Sequence, residues 1–574
     1  MTDQNAAETQ AQSTADSPGI LEPPVAFGGI VRQLGPGLII AASIVGSGEL
    51  IATTKTGAQA GMSLLWLIIV GCIIKVFVQI ELGRAAIGLQ ETTLTSLNRV
   101  PGPRLRVNWI LWYWLVMMLV GFGQLGGIVG GVGQSLAMAK PITGDYVSTV
   151  MMPSEHELKH YIAWEDDIAD GSSALNAVPE DARKRIEASQ AVIRERLEKL
   201  DAVHEGRSEE IVSLVRTLIA AERGEISGEE ADGAKKAVKE MLSPHTVDDK
   251  YWSVGVAIIT IVLLVRGRYG LIQNVSTVLV VAFTFVTIGN VLSLQFNSPF
   301  SIGLDEILGG LIPSLPPEGI KPPGLPNWEL KQPLATALAT FGIIGVGATE
   351  LIMYPYWCME KGYARFVGPN TGEDSWKQRA LGWIHVMKYD AFASMIIYTL
   401  ATIAFFYMGV AVMHSRGLDP EGMRMVSTLM EQYVPVFGDY AKWLFLAGAI
   451  AVLYSTYLVA NAAWTRVYTD AFKVFGLMSS TSVVAHQRSI RILAVVLPLI
   501  SLTLYCTGIN PVKLVLLSGL MQAIMLPMLG FAALYFRYKH TSTGIQPSKA
   551  WDILLILSCV GLLIAGGWGF YSNL

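Results

Sequence analysis

Long apolar runs alternate with short polar joints along most of this chain. A helix that crosses a membrane needs about 20 predominantly apolar residues. Runs of that kind lie near 31–59, 62–87, 108–139, 251–269, 271–296, 333–360, 386–413, 440–468, 489–507, 511–537 and 551–572. They predict eleven spanning helices, numbered here as spans 1 to 11. Arg266 and Arg268 leave only a tight turn between spans 4 and 5. Two polar segments break the pattern. Residues 1–27 are rich in Pro, Ala and Gln, with neither a basic start nor a cleavable apolar core. They read as a disordered tail and not a signal peptide. Residues 140–250 hold Ile, Leu and Val at helical spacing within 180–203 and 209–223. Pro179-Glu180-Asp181 resembles a helix start with acids in its first turn. The expected order is a tail at 1–27, spans 1–3 within 28–139, a helical insertion outside the membrane at 140–250, and spans 4–11 within 251–574.

Composition agrees with an all-α membrane protein. The 574 residues are 52% hydrophobic and only 15% charged, against about 25% charged in soluble domains. The formal net charge of −4 hides a segregation. If the N-terminus is cytoplasmic, the inside loops carry Arg84, Arg99, Arg104 and Arg106; Arg266 and Arg268; Lys361, Arg365, Lys377 and Arg379; Arg466, Lys473, Arg488 and Arg491; and Arg537, Lys539 and Lys549. The outside loops are poor in Lys and Arg apart from the insertion. The positive-inside rule then places the N-terminus inside and the C-terminus outside, with the plasma membrane as the expected location. Within the insertion acidic side chains outnumber basic ones, which reads first as a solvated face and second as a surface that gathers cations or a partner. Cys72, Cys358, Cys506 and Cys559 lie in or beside apolar runs, and their spacing suggests neither a disulfide framework nor a zinc site.

Two breaks stand out. Gly46-Ser47-Gly48-Glu49 interrupts span 1 and Gly347-Ala348-Thr349-Glu350 interrupts span 6. A carboxylate at membrane depth costs several kcal/mol unless it is paired, solvated or used. Paired interruptions in the two halves of such a chain point to a transporter's substrate site. Span 3 carries Gly123, Gly126, Gly127 and Gly130 at four-residue spacing, which lets helices approach closely in lipid.

Gly35-Pro36-Gly37 opens span 1, and Gly57-Ala58-Gln59-Ala60-Gly61 and Ser63-Leu64-Leu65-Trp66 follow it. With Gly347-Ala348-Thr349, Leu526-Pro527 in span 10, and Tyr454-Ser455-Thr456 and Asn461 in span 8, these stretches resemble the Nramp family of divalent-metal transporters. The resemblance spans nearly all the membrane helices but not the insertion. It implies a LeuT-like fold: spans 1–5 and 6–10 as inverted repeats, spans 1 and 6 discontinuous, span 11 added. That family's first break reads Asp-Pro-Gly-Asn, its Asp and Asn binding metal. Here Gly46, Ser47, Gly48 and Glu49 stand in those places. The family's Met and His ligands in the sixth helix fall on Leu351 and Met353, and a further His on Cys358; a gap would restore Met353 to the Met position. The carbonyl ligand maps to Ala348. The acids used for proton transfer map to Gln124 and Gly127.

Carboxylate, carbonyl and water ligands suit hard cations, whereas thioether and imidazole suit softer metals. Glu49 and Glu350 facing one cavity, with carbonyls of Ala348 and Gly46, would form an all-oxygen site for Mg2+, Ca2+ or Mn2+. Gly46, Ser47, Gly48, Thr349, Leu351 and Met353 complete the expected substrate site. Lys75 in span 2 reads either as a counter-ion to these glutamates or as a snorkelling side chain. Lys55, Gln124, Tyr354 and Tyr356 are candidates for coupling or gating. The expected function is a secondary-active transporter of a hard divalent cation, with proton coupling open. An H+- or Na+-coupled carrier of a small organic or anionic solute is the first alternative, and a membrane sensor that transports nothing is the second. No nucleophile–base constellation, cofactor loop or nucleic-acid motif is apparent. The expected partners are the bilayer and the transported ion, with no cofactor.

Overall fold

The computed structural model describes residues 19–572 apart from 144–145, 172–173, 204–205, 227, 243–245, 267–268, 326 and 480–481. The tail at 1–18 lies outside the described residues. Helices stand at all eleven apolar runs. Span 1 is Pro36–Ile44, a wide turn of helix Ser47–Thr53, and Thr54–Ala60. Spans 2 and 3 are Leu65–Leu89 and Trp109–Ala139. Spans 4 and 5 are Asp248–Arg266 and Tyr269–Leu294. Span 6 is Pro333–Ile343 followed by Ala348–Lys361. Span 7 is Asp374–Met408, continued by Gly409–His414. Spans 8 to 11 are Ala441–Val474, Val483–Cys506, Pro511–Lys539 and Lys549–Tyr571. Among the described residues, eight helical stretches are long and apolar enough to cross a membrane; the first, Pro36–Leu89, holds both span 1 and span 2. Span 4 falls short of that apolarity because Asp248, Asp249 and Lys250 open it.

One core of buried apolar side chains runs through the spans. The glycine stripe of span 3 is where that helix meets spans 9 and 10, as small-residue spacing requires. The insertion has a core of its own, in which Leu158, Ile162, Ile193, Val215 and Ile219 are buried. Its helix Glu155–Ala169 begins with a reciprocal cap between Ser154 and Glu157.

The loops sort onto two faces. Arg84 donates to the Ile545 carbonyl, Gln90 to the Ala364 carbonyl and Arg106 to the Gly476 carbonyl. The Leu21 carbonyl accepts from Trp383 at 2.9 Å on the same side. The basic loops after spans 2, 6, 8 and 10 and the N-terminal segment therefore share one face. The opposite face carries the insertion, which rests on the segment between spans 7 and 8: Arg424 donates to the Met152 carbonyl at 2.5 Å, and Ser427 to the Val150 carbonyl at 3.2 Å.

Candidate functional site

Both breaks form where the residues permit them. In span 1 the helix stops at Ile44, and Gly46 takes φ −158° and ψ −122° before coiling resumes at Ser47. A Cβ on Gly46 would come within 2.1 Å of Thr456 Oγ1, so span 8 seats itself against bare backbone. The Gly46 carbonyl accepts from Leu50 N at 2.9 Å, which leaves its second lone pair. In span 6 the chain leaves the helix at Ile344. Gly345 adopts a left-handed φ of +56°, open to glycine without strain. Gly347 then caps the second half-helix, with Leu351 N bonded to its carbonyl at 2.9 Å. Ala348 is the first residue of that half-helix.

Glu49 points into this junction and has no exposed surface. Its Oε1 accepts from Thr402 Oγ1 of span 7 at 3.2 Å. The backbone amides of Gly46 and Gly345 face the carboxylate. Its Oε2 meets no donor at hydrogen-bonding geometry. Glu350 sits on the other side of the span 6 break, where its Oε2 accepts from Thr349 Oγ1 at 2.7 Å. From there a chain of amides and hydroxyls crosses the bundle. Thr349 Oγ1 lies 3.1 Å from Gln522 Oε1. Gln522 and Ser518 of span 10 donate to Gln124 Oε1 at 2.9 and 3.0 Å. Gln124 in turn donates to Ser47 Oγ at 3.2 Å. The two glutamates share no hydrogen-bonding partner. What they share is Lys75, whose charge acts on both.

Lys75 does not snorkel. It is fully buried, and its ammonium donates to the carbonyls of Phe341 and, at 2.7 Å, Ile344, the last turn of the first half of span 6. The Phe341 ring lies 4.6 Å from the same nitrogen. A helix C-terminus is the partially negative end of its dipole and suits a cation. Among the described residues, no three His, Cys, Asp or Glu side chains converge as a metal-holding group. A cation here has two carboxylates at most, supplemented by carbonyl, hydroxyl and water oxygens. Leu351, Met353 and Cys358 are buried within the second half of span 6.

The remaining predicted residues belong to two latches. On the insertion face, Lys55 donates to Asp419 at 2.6 Å and to Glu421 at 3.0 Å. Lys331, just before span 6, reaches Asp419 at 3.3 Å, and Gln59 reaches it at 2.8 Å. Burial alone pushes the Asp419 carboxyl up, but the ammonium groups of Lys331 and Lys55 outweigh it and hold it down to about 2. A carboxyl depressed in the folded state contributes stability that is complete above its unfolded value of about 3.9 and is lost as pH falls through its folded one. This latch therefore holds at any pH above about 4. Substitution breaks it where mild acid does not: Asp419→Ala leaves Lys55 buried beside a half-exposed Glu421. We expect a loss of about 3 kcal/mol, the low end for removing one partner of a buried ion pair, read as a lower unfolding midpoint in detergent.

On the opposite face Asp390 of span 7 accepts from Gly35 N at 2.8 Å and Gly37 N at 2.5 Å, the first amides of span 1. Tyr354 of span 6 donates to the same carboxylate at 3.1 Å. One carboxylate thus ties both discontinuous helices to span 7. Tyr356 donates to Asp470 of span 8 at 2.6 Å. Thr402, Ser518, Gln522, Asp390 and Asp419 were not singled out from the sequence. Asp390 carried a usable signal, a lone acid inside an apolar run; the others are single polar residues without periodicity.

A bundle of spanning helices, two of them broken around buried carboxylates and latched at both ends, is the build of a membrane transporter. The chain matches the model of the Nramp family, described as natural resistance-associated macrophage protein-like, over residues 229–572, and it belongs to that family. Members of the family are transporters and not enzymes. No curated protein matches the chain. In fold it is similar to a mutant of the Eremococcus coleocola manganese transporter, at 13% identity over 96% of this chain and 89% of that one, with a TM-score of 0.53. The same transporter in complex with an aromatic bis-isothiourea compound gives 12% identity, equal coverage and a TM-score of 0.50. The expected all-α, LeuT-like fold is the fold found.

Proposed function

We propose that this protein is a secondary-active transporter that moves a hard divalent cation, Mg2+ or Mn2+, by alternating access through the junction of spans 1 and 6. The observation that carries the reading is the unpartnered Oε2 of Glu49, a buried carboxylate oxygen aimed into the break. With Glu350 across the junction, the centre has two acids against one ammonium. The oxygen-only donor set favours hard ions over soft ones. Membership of the Nramp family and the likeness to a manganese transporter support a metal cargo. The face that collects the basic loops is the cytoplasmic one, which puts the insertion and the Asp419 latch outside. In this reading Gly46, Ser47, Gly48, Glu49, Ala348, Thr349 and Glu350 line the path of the ion. Lys55 and Tyr354 hold the outer and inner latches.

One observation favours a second reading. The run Ser47–Gln124–Ser518–Gln522–Thr349 is a set of neutral donors and acceptors of the kind that orients a small organic or anionic solute. Purified protein in liposomes separates the two. Uptake of Mg2+, Mn2+ or Ca2+ is followed with an internal pH probe, and amino and carboxylic acids are offered in parallel. Saturable divalent uptake above empty liposomes is expected. Uptake of a solute with no cation flux would replace the first reading by the second.

A further inference from the structure

Lys75 belongs to neither latch, and its burial at the break in span 6 calls for a role in the transport cycle. An ammonium in the middle of a cation carrier, seated on the carbonyls at the break in span 6, looks at first like an obstacle. The charges say otherwise. The buried centre holds Glu49, Glu350 and Lys75, so with all three groups charged it carries a net −1 when empty. A divalent cation brings it to +1. The cost of burying net charge in a poorly polarisable medium rises with the square of that charge. The empty and loaded centres are therefore balanced against each other. Without the ammonium the loaded centre would be neutral, but the empty one would carry −2 and cost about four times as much to bury as −1 does.

We propose that Lys75 is the resident cation of the unloaded carrier: it neutralises one glutamate so that the empty protein can pass through its occluded state and return for another ion. The inference rests on the cation-transport reading above. Three features place the charge for this task. Lys75 reaches span 6 from span 2 and so bridges a broken helix to its neighbour. Its two acceptors, Phe341 and Ile344, are backbone carbonyls, which no side-chain change removes. The peptide unit it grips, Ile344–Gly345, turns its amide toward Glu49, while Lys75 itself hydrogen-bonds to neither glutamate, which leaves their oxygens to the cargo.

Net uptake needs the empty carrier to return, whereas exchange of internal for external ion does not. The test is radiolabelled Mn2+ in liposomes, run as net uptake and as exchange against internal Mn2+. Lys75→Gln keeps donors for the two carbonyls and removes the charge. Net uptake is expected to fall at least about tenfold while exchange stays within about twofold. Lys75→Met, which lacks the donors as well, should show the same split. Equal loss of both modes in Lys75→Gln, or retention of both, overturns the proposal. So does a Gln variant that keeps net uptake where Met loses it, because the side chain would then be only a strap between spans 2 and 6. Absence of any Mn2+, Mg2+ or Ca2+ movement in the unaltered protein is a different result: it removes the transport reading and this inference with it.

Discussion

Glu49→Gln should reduce divalent-cation uptake by at least about 100-fold, which corresponds to about 2.7 kcal/mol, while leaving the fold intact. The substitution is close to isosteric and keeps an acceptor for Thr402 Oγ1, so the contact between spans 1 and 7 survives. What it removes is the charge on an oxygen that has no donor of its own. A buried carboxylate with one oxygen lacking a donor carries a desolvation cost that an amide does not, so neutralising it should leave the unfolding midpoint unchanged or raise it. That pairing of lost transport with equal or better stability is the diagnostic. A structural Glu49, capping the outer half of span 1, would give the reverse: a lowered midpoint and transport reduced only in proportion to folded protein. Glu350→Gln should be milder, because its Oε2 already accepts from Thr349 whereas Glu49 Oε2 has no donor. If Glu350→Gln proves the more damaging change, the cation sits nearer the Gln522 network than the Glu49 junction.

The spans were legible in the sequence because burial in lipid needs nothing subtler than 20 apolar residues in a row. The breaks were legible because carboxylates beside glycine at that depth have few structural uses. Which oxygens the span 6 break releases was not legible. The motif Gly347-Ala348-Thr349 directed attention to Ala348, but the chain turns at Gly345. The ends of the first half-helix, Phe341 and Ile344, are the carbonyls that receive Lys75. A difference of three or four residues in where a helix stops decides this, and local composition does not encode it. Lys75 shows the same limit from the other side. Snorkelling and a buried counter-ion are both consistent with a lysine in an apolar run, and only the packing of span 2 against span 6 distinguishes them. The partners Thr402, Ser518 and Gln522 are isolated polar residues in apolar helices, so they became visible only once five spans were brought together.

Gly342→Ala should be among the most destabilising single-methyl additions in the chain, and its position explains why the site depends on it. Gly342 lies in the first half of span 6, where that helix crosses span 10 with backbone against backbone. A Cβ there would stand 1.8 Å from the Gly519 carbonyl oxygen and 2.7 Å from Ala523 N. Gly519 is equally confined, since its own Cβ would come within 2.3 Å of the Ala339 carbonyl. In a helix alanine is ordinarily preferred to glycine by about 1 kcal/mol. Overpacking a filled interface costs about 1–3 kcal/mol, and neither contact here is a side chain that can rotate away. The clash therefore outweighs the propensity gain, and a net loss of about 2 kcal/mol is expected, read as a lower unfolding midpoint. Gly567→Ala in span 11, where the added methyl meets nothing within 4 Å, should leave the midpoint unchanged or raise it. The functional loss in Gly342→Ala should exceed the loss of folded protein. Phe341 and Ile344, which hold Lys75, flank the clash, so parting spans 6 and 10 moves those carbonyls. Gln522 of span 10 lies one turn beyond Gly519 and links Thr349 to Gln124. Uptake per folded molecule that stays normal in Gly342→Ala would mean that the crossing of spans 6 and 10 supports the bundle but does not position the site.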